Sequence, residues 1–291
     1  MRSTSPGGHA ADTDGLREKR HAENFPVALR VLPRRLRSDL QAVYGVARTI
    51  DDLGDEADGD RIALLKNFGD ELSAAFDGAE PADPAIRGLV PAMRAGRVEL
   101  EPFRRLIEAN LQDQHVKRYA TYEDLRGYCR LSADPVGRIV LRLFDVADPE
   151  AEELSDSVCT ALQLLEHWQD VAEDYGAGRI YLPAEDLEAY GVSEDELGAA
   201  QASRRLRALM RFEIDRAAAL LGSGAALVGH LRGWGRLAVS GFVAGGLATV
   251  DALRETHGDV LATQARPGKA GVLAWLVWLQ VGDAKTGRRS G

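Results

Sequence analysis

An all-α fold in a single domain is what this 291-residue sequence predicts, and three features predict it. Ala, Leu, Arg and Glu dominate, and alternating β-branched runs are scarce. Apolar residues recur at helical spacing over most of the chain. Hydrophobic residues make up 45% of the total, enough for a sizeable core without staples. The pattern reads as roughly ten helices, with no dinucleotide-binding βαβ unit, no phosphate-cradling glycine loop and no repeat of fixed period.

The elements follow in order. The opening "MRSTSPGGHAADTDG" is polar and Gly-rich, a disordered tail rather than a signal peptide. "LRSDLQAVYGVARTIDDLGDEA" carries Leu36, Leu40, Val43, Val46 and Ile50 as one helical stripe, and "RIALLKNFGDELSAAF" is a second helix. Pro81 and Pro84 break the pattern before another helix opens. "EPFRRLIEANLQDQHV" and "TYEDLRGYCRLSADPVGRIVLRLF" follow, the latter kinked or broken at Asp134-Pro135. "ELSDSVCTALQLLEHWQDVAEDY" reads as one long helix ending near Gly176 and Gly178. "DRAAALLGSGAALVGHLRGWGRLAVSGFVAGGLATVDALRE" reads as two or three apolar helices with small-residue interfaces. The expected organisation is a tail at residues 1–17, a domain at 18–282 and a polar tail at 283–291.

Charge and cysteines narrow the function. A net charge of -9 and a pI near 5.3 argue against nucleic acid as a partner and leave room for polyvalent cations. Cys129 and Cys159 show no metal-ligand spacing and read as reduced thiols, which points to the cytoplasm. The apolar stretches Leu237 to Val250 and Ala270 to Gly282 are shorter than the ~20 residues of a membrane span. The second could touch a bilayer surface or line an apolar tunnel; a buried core helix is the plainer alternative.

Four acids, Asp51, Asp52, Asp55 and Glu56, crowd into six residues. Asp51 and Asp55 share a helix face with Arg48 and Tyr44. Gln163, Glu166, Asp170 and Asp174 form a second stripe in an otherwise apolar helix. One such stripe alone is ordinarily a solvated face. Two of them suit hard divalent cations, since Mg²⁺ takes one or two carboxylates together with substrate phosphates. Facing pairs would grip a diphosphate, and charge neutralisation would make it a leaving group. A di-iron bundle would need two Glu-x-x-His motifs; only Glu18 to His21 fits.

These motifs resemble the squalene/phytoene synthase family over about Lys19 to Arg266. "YGVARTIDDLGDE" is similar to its first aspartate motif and "QLLEHWQDVAEDYGAGRIYLPAEDL" to its second. "YCRLSADPVGRIVLRLF" resembles the segment between them, with Leu131 where squalene synthases often have a second Tyr. The resemblance implies an all-α prenyltransferase bundle with a central active-site cavity. It implies metal-binding acids at Asp51, Asp55, Asp170 and Asp174, supported by Asp52 and Glu173. Arg48, Gln163 and His21 would contact the diphosphate, and Tyr128 would line the cavity. Arg266 and Lys269 match a basic cluster of the family loosely. His167 and Trp168 lie off the acidic stripe and read as packing residues.

Within the family the fit is closest to bacterial hydroxysqualene synthases. Asn24, Phe25 and Pro26 replace the usual Ser-Phe-Ser or Ser-Phe-Tyr, and Glu166 and Gln169 replace Asn and Arg. The implied reaction is Mg²⁺-dependent ionisation of presqualene diphosphate, rearrangement and capture of the cation by water, with Glu166 a candidate to handle that water and no NADPH expected. The alternatives are a presqualene diphosphate or phytoene synthase, and a non-catalytic family member acting in assembly. Implied partners are a prenyl diphosphate, the inner membrane surface as a peripheral contact, and the preceding and following enzymes of the pathway.

Overall fold

The computed structural model of the chain describes residues 32–286. His21, Asn24 to Pro26 and the 1–17 tail lie outside the described residues. Among those described there are thirteen α-helices and one short 3-10 helix, more than the roughly ten expected, because two expected helices are each broken in two and short helices such as Ala184–Tyr190 add to them. The only pairing of extended backbone among them is an isolated parallel bridge between Arg118 and Ile180.

Local chemistry sets the helix ends. Asp83 caps the Pro84–Arg94 helix, its carboxylate accepting from the amides of Ala85 at 2.7 Å and Ile86 at 3.3 Å. Thr121 and Asp124 form a reciprocal capping box at the start of the Tyr122–Ser132 helix. That helix stops at Ala133, and Asp134–Leu143 begins at once with Pro135 in its first turn, the break expected at Asp134-Pro135.

The core has two lobes. One collects Leu36, Leu40, Val43, Val46 and Ile50, the stripe read from the sequence, with Leu65, Leu72, Ile86 and Phe103. The other gathers around the fully buried Trp168 and runs through the Pro149–Gln169, Arg204–Gly224 and Gly233–Glu255 helices. Small residues let these last three approach closely. A Cβ on Gly224 would lie 2.9 Å from the Leu154 carbonyl, and one on Gly246 would lie 2.6 Å from Leu162. Burying one leucine contributes roughly 1.5–3 kcal/mol, and Leu164, Leu206, Leu209, Leu221 and Leu253 are all buried among these three helices.

Two sequence boundaries move. The long helix expected to end near Gly176 breaks at Asp170 (φ -107°, ψ 16°) into Pro149–Gln169 and Val171–Gly176. The last helix, Lys269–Thr286, continues past residue 282, where the polar tail was expected to start. Gly233–Glu255 is also long and apolar enough by length and composition to cross a membrane, which the shorter Leu237 to Val250 run did not suggest. Its inner side, including Val239, Val243, Ala244 and Leu253, is buried in the protein, so packing accounts for its apolar character. Cys129 and Cys159 are both free thiols, and burial pushes each up to about 12.

Candidate active site

The first acidic motif occupies the carboxyl end of the Arg34–Asp55 helix. Acids there are doubly disfavoured: they repel one another and they face the negative end of the helix dipole. The structure answers with cations and donors. Arg48 Nε lies 2.7 Å from Asp52 Oδ1, and its Nη2 lies 3.3 Å from Glu56. Asn110 Nδ2 donates to Asp51 Oδ1 at 3.2 Å. Arg179 Nη1 donates to Asp55 Oδ1 at 2.9 Å. The glycine among the acids has a steric role, since a Cβ on Gly54 would come within 2.2 Å of Asn110 Oδ1. Its bare backbone also lets Gln114 Nε2 reach the Gly54 carbonyl at 3.0 Å.

Arg179 joins the two motifs. It belongs to the Gly178–Pro183 run that follows the second motif, and a short ladder fixes that run. The Ile180 amide donates to the Lys117 carbonyl at 3.0 Å, and the Ala184 amide to the Tyr119 carbonyl at 2.9 Å. Arg118 Nη1 adds a bond to the Gly178 carbonyl at 2.8 Å. Arg179 is thereby held half-buried beside Asp55, with Asp174 and Tyr181 also close enough to act on its charge. Burial opposes that charge, but Tyr181, Asp55 and Asp174 outweigh it, so the guanidinium is a fixed cation.

The second motif spans the break at Asp170. Hydrogen bonds from the Asp170 amide to the Glu166 carbonyl (3.0 Å) and from the Asp174 amide to the Asp170 carbonyl (2.8 Å) carry the helical register across it. Glu166, Asp170 and Glu173 are half-buried, while Asp174 is buried. His167 Nδ1 lies 3.8 Å from Asp174 Oδ2. The ring stacks on Tyr181 with centroids 3.6 Å apart, and Gln163 Nε2 sits 3.3 Å from His167 Nε2. His167 packs as read from the sequence and also lies beside Asp174 of the second motif, whereas Trp168 is fully buried. His167, Trp168, Asp174, Arg179 and Tyr181 line a small cavity. Gln169 turns away, its Nε2 donating to the Ala265 carbonyl at 2.5 Å.

Tyr128 is buried at the back of this cluster, and its hydroxyl donates to Asp113 Oδ2 at 2.7 Å. Tyr119, Tyr128 and Tyr181 pack ring to ring, 5.6 to 5.8 Å apart. Burial raises all three phenols, so they stay protonated at neutral pH. Burial also raises Asp113, against the lowering effects of the Tyr128 hydrogen bond and the Arg179 charge. Asp113 Oδ1 and Arg179 Nε are both buried without a hydrogen-bond partner, an acceptor and a donor of the kind a polar ligand satisfies.

Sequence reasoning gave Asn110, Asp113, Arg179 and Tyr181 no role. Arg179 and Tyr181 stood in a run already matched to the second motif. Asp113 and Asn110 had no signal, because their meaning depends on the approach of Gly54 and Tyr128. Among the described residues no three His, Cys, Asp or Glu side chains converge closely enough to enclose a metal ion by themselves.

The profile of squalene/phytoene synthases matches residues 18–271. The chain belongs to the squalene/phytoene synthase family. Among its curated relatives, the hydroxysqualene synthase of Zymomonas mobilis subsp. mobilis is 36% identical over 197 residues, 64% of this chain and 63% of that protein. The alignment thus spans less than two thirds of that relative. The phytoene synthase of Mycobacterium tuberculosis is 33% identical over 216 residues, 72% of this chain and 70% of that protein. Among solved structures, squalene synthase HpnC from Alicyclobacillus acidocaldarius is 42% identical with a TM-score of 0.77, covering 85% of this chain and 94% of that one. A ligand-bound dehydrosqualene synthase is 25% identical with a TM-score of 0.83, covering 93% and 95%. The fold is that of the family's all-α enzymes acting on prenyl diphosphates.

Proposed function

We propose that this family member is a hydroxysqualene synthase, converting presqualene diphosphate and water into hydroxysqualene and diphosphate. The observation that carries the reading is the Arg179–Asp55 ion pair, which ties the end of the second acidic motif to the first at 2.9 Å. Two motifs at one place suit a ligand carrying two phosphates. The choice within the family rests on Glu166 and Gln169, and on the similarity to the Zymomonas hydroxysqualene synthase.

The acids fit a hard cation. Their donors are carboxylate oxygens, and the first set lies at a helix carboxyl end, where the field favours positive charge. Arg179 already places a guanidinium on Asp55. Asp51, Asp55, Asp170 and Asp174 would hold Mg²⁺, with Asp52 and Glu173 in support. Bound Mg²⁺ would supply charge neutralisation for the departing diphosphate. A site that shares its coordination with substrate phosphates needs no complete protein cage.

The chain's own residues do the rest in this reading. Arg179, and Arg48 once released from Asp52 and Glu56, would bind diphosphate oxygens. Tyr119, Tyr128 and Tyr181 would face the hydrocarbon cation with ring faces that stabilise it and exclude bulk water. Glu166 would hold the one water that attacks. That water's oxygen forms the new C–O bond, and its proton leaves to the carboxylate and then to solvent. Gln169 supports this role: its side chain is committed to Ala265 and carries no charge to pair with Glu166.

The 33% identity to the mycobacterial phytoene synthase favours a second reading, a synthase that joins two prenyl diphosphates. One experiment separates them. With presqualene diphosphate and Mg²⁺ but no NADPH, hydroxysqualene and diphosphate should form in equal amounts. Condensation of farnesyl or geranylgeranyl diphosphate, with presqualene diphosphate left intact, would overturn the proposal.

A further inference from the structure

Leu273, Val277 and Trp278, at 60, 54 and 59% exposure, are the most exposed large hydrophobic residues among those described. All three lie on the Lys269–Thr286 helix, and nearly all of that helix lies beyond residue 271, where the family match ends. Its inner side is anchored. Trp275 Nε1 donates to Asp251 at 2.7 Å, and Gln280 Nε2 donates to Ser240 Oγ at 2.8 Å. Leu279 is buried. The outer side, Ala270, Leu273, Ala274, Val277 and Trp278, repeats every three or four residues and carries no charge. At one end the apolar exposure extends to the neighbouring helix, where Trp234 and Leu237 flank Arg236, whose Nε meets Gln280 at 3.4 Å.

Charge says what covers this face. The whole chain has a net charge of -9, yet residues 266–291 hold five basic residues (Arg266, Lys269, Lys285, Arg288 and Arg289) and one acid, Asp283. An apolar stripe with an exposed tryptophan, in a segment whose sequence is this rich in basic residues, has the composition of a helix lying in a membrane interface. A second copy of this chain would bring the same positive charge to the contact and repel it.

We propose that the outer face of the Lys269–Thr286 helix docks the protein on an anionic lipid surface, with Leu273, Val277 and Trp278 entering the headgroup layer. The helix lies in the plane of the membrane and does not cross it. Docking is measured without substrate, so it stands or falls separately from the proposed reaction.

The test uses the full chain and sedimented vesicles of phosphatidylcholine, with or without about a third phosphatidylglycerol. Binding should be at least tenfold tighter to the anionic vesicles and should weaken at high salt, since each basic residue near such a surface contributes about fivefold. Brominated lipid should quench part of the tryptophan emission. Leu273→Glu with Val277→Glu should abolish sedimentation, and Arg288→Gln with Arg289→Gln should weaken it about tenfold or more, while both variants keep wild-type turnover on detergent-dispersed substrate. No sedimentation of the wild type with anionic vesicles would overturn the proposal, as would equal binding by the double-glutamate variant. A wild-type dimer that the double-glutamate change converts to monomer would also overturn it, assigning the face to a second copy.

Discussion

At the carboxyl end of the Arg34–Asp55 helix, Asp55 keeps 46% of its side chain exposed and meets Arg179 from across the site. One turn past the Pro149–Gln169 helix, Asp174 keeps only 8% and lies between His167 and the Arg179 segment. Both motifs have acids four residues apart, and their surroundings divide the work. The first is an open rim, neutralised by Arg48, Arg179 and Asn110. The second is built into the wall, with its histidine stacked on Tyr181. Acids at a rim cost the fold little when unpaired, whereas a buried acid must keep its partners.

The largest expected effect tests that contrast. Asp55→Asn and Asp174→Asn should each lower turnover about 100-fold or more, the scale of losing a group that stabilises transition-state charge. Without metal, Asp55→Asn should lower Tm less than Asp174→Asn, because falling repulsion at the rim offsets part of the lost Arg179 pair. Equal losses of Tm in the two variants would remove the distinction between rim and wall. Arg179→Gln comes next. It leaves Asp55 without its cation and should lower kcat/KM about tenfold or more; a stronger KM than kcat effect would assign Arg179 to binding diphosphate rather than to expelling it.

Glu166→Gln should change the product more than the rate. Diphosphate release should continue, while hydroxysqualene gives way to rearranged or eliminated hydrocarbons. If release falls and recovers at high Mg²⁺, Glu166 is a metal ligand instead. Unchanged rate and product would remove it from the site.

The smallest effect lies away from the chemistry. Asp134 is buried, accepts a hydrogen bond from Thr160 at 2.8 Å, and is raised to about 7, mainly by burial. A carboxyl raised on folding stabilises the native state below its unfolded pKa, and that stability is lost as pH rises toward 7. Tm should therefore decline between about pH 4 and 7, and Asp134→Asn, which keeps the acceptor for Thr160, should flatten the decline by about 2–4 °C for each kcal/mol involved.

The helices and both motifs were legible because periodicity and charge spacing are local. The stripe from Leu36 to Ile50 is buried as read, and Asp134-Pro135 breaks the chain as read. What escaped was set by long-range approach. His167 read as packing because it sits one residue off the acidic stripe, but the bend at Asp170 and the docking of Tyr181 bring it to Asp174. Arg179 gained its role from a partner 124 residues away, and Asn110 from one 59 residues away. Asp113 looks like one more solvated acid until Tyr128 closes over it. No pattern within a single helix encodes such pairings.

The central claim is that two acidic motifs form one diphosphate site. Calorimetric titration of the protein with inorganic diphosphate tests it directly, with and without Mg²⁺. The account predicts one binding event per chain that requires Mg²⁺ and is weakened at least tenfold by Asp55→Asn and by Asp174→Asn alike. Binding that survives unchanged in either variant would contradict it.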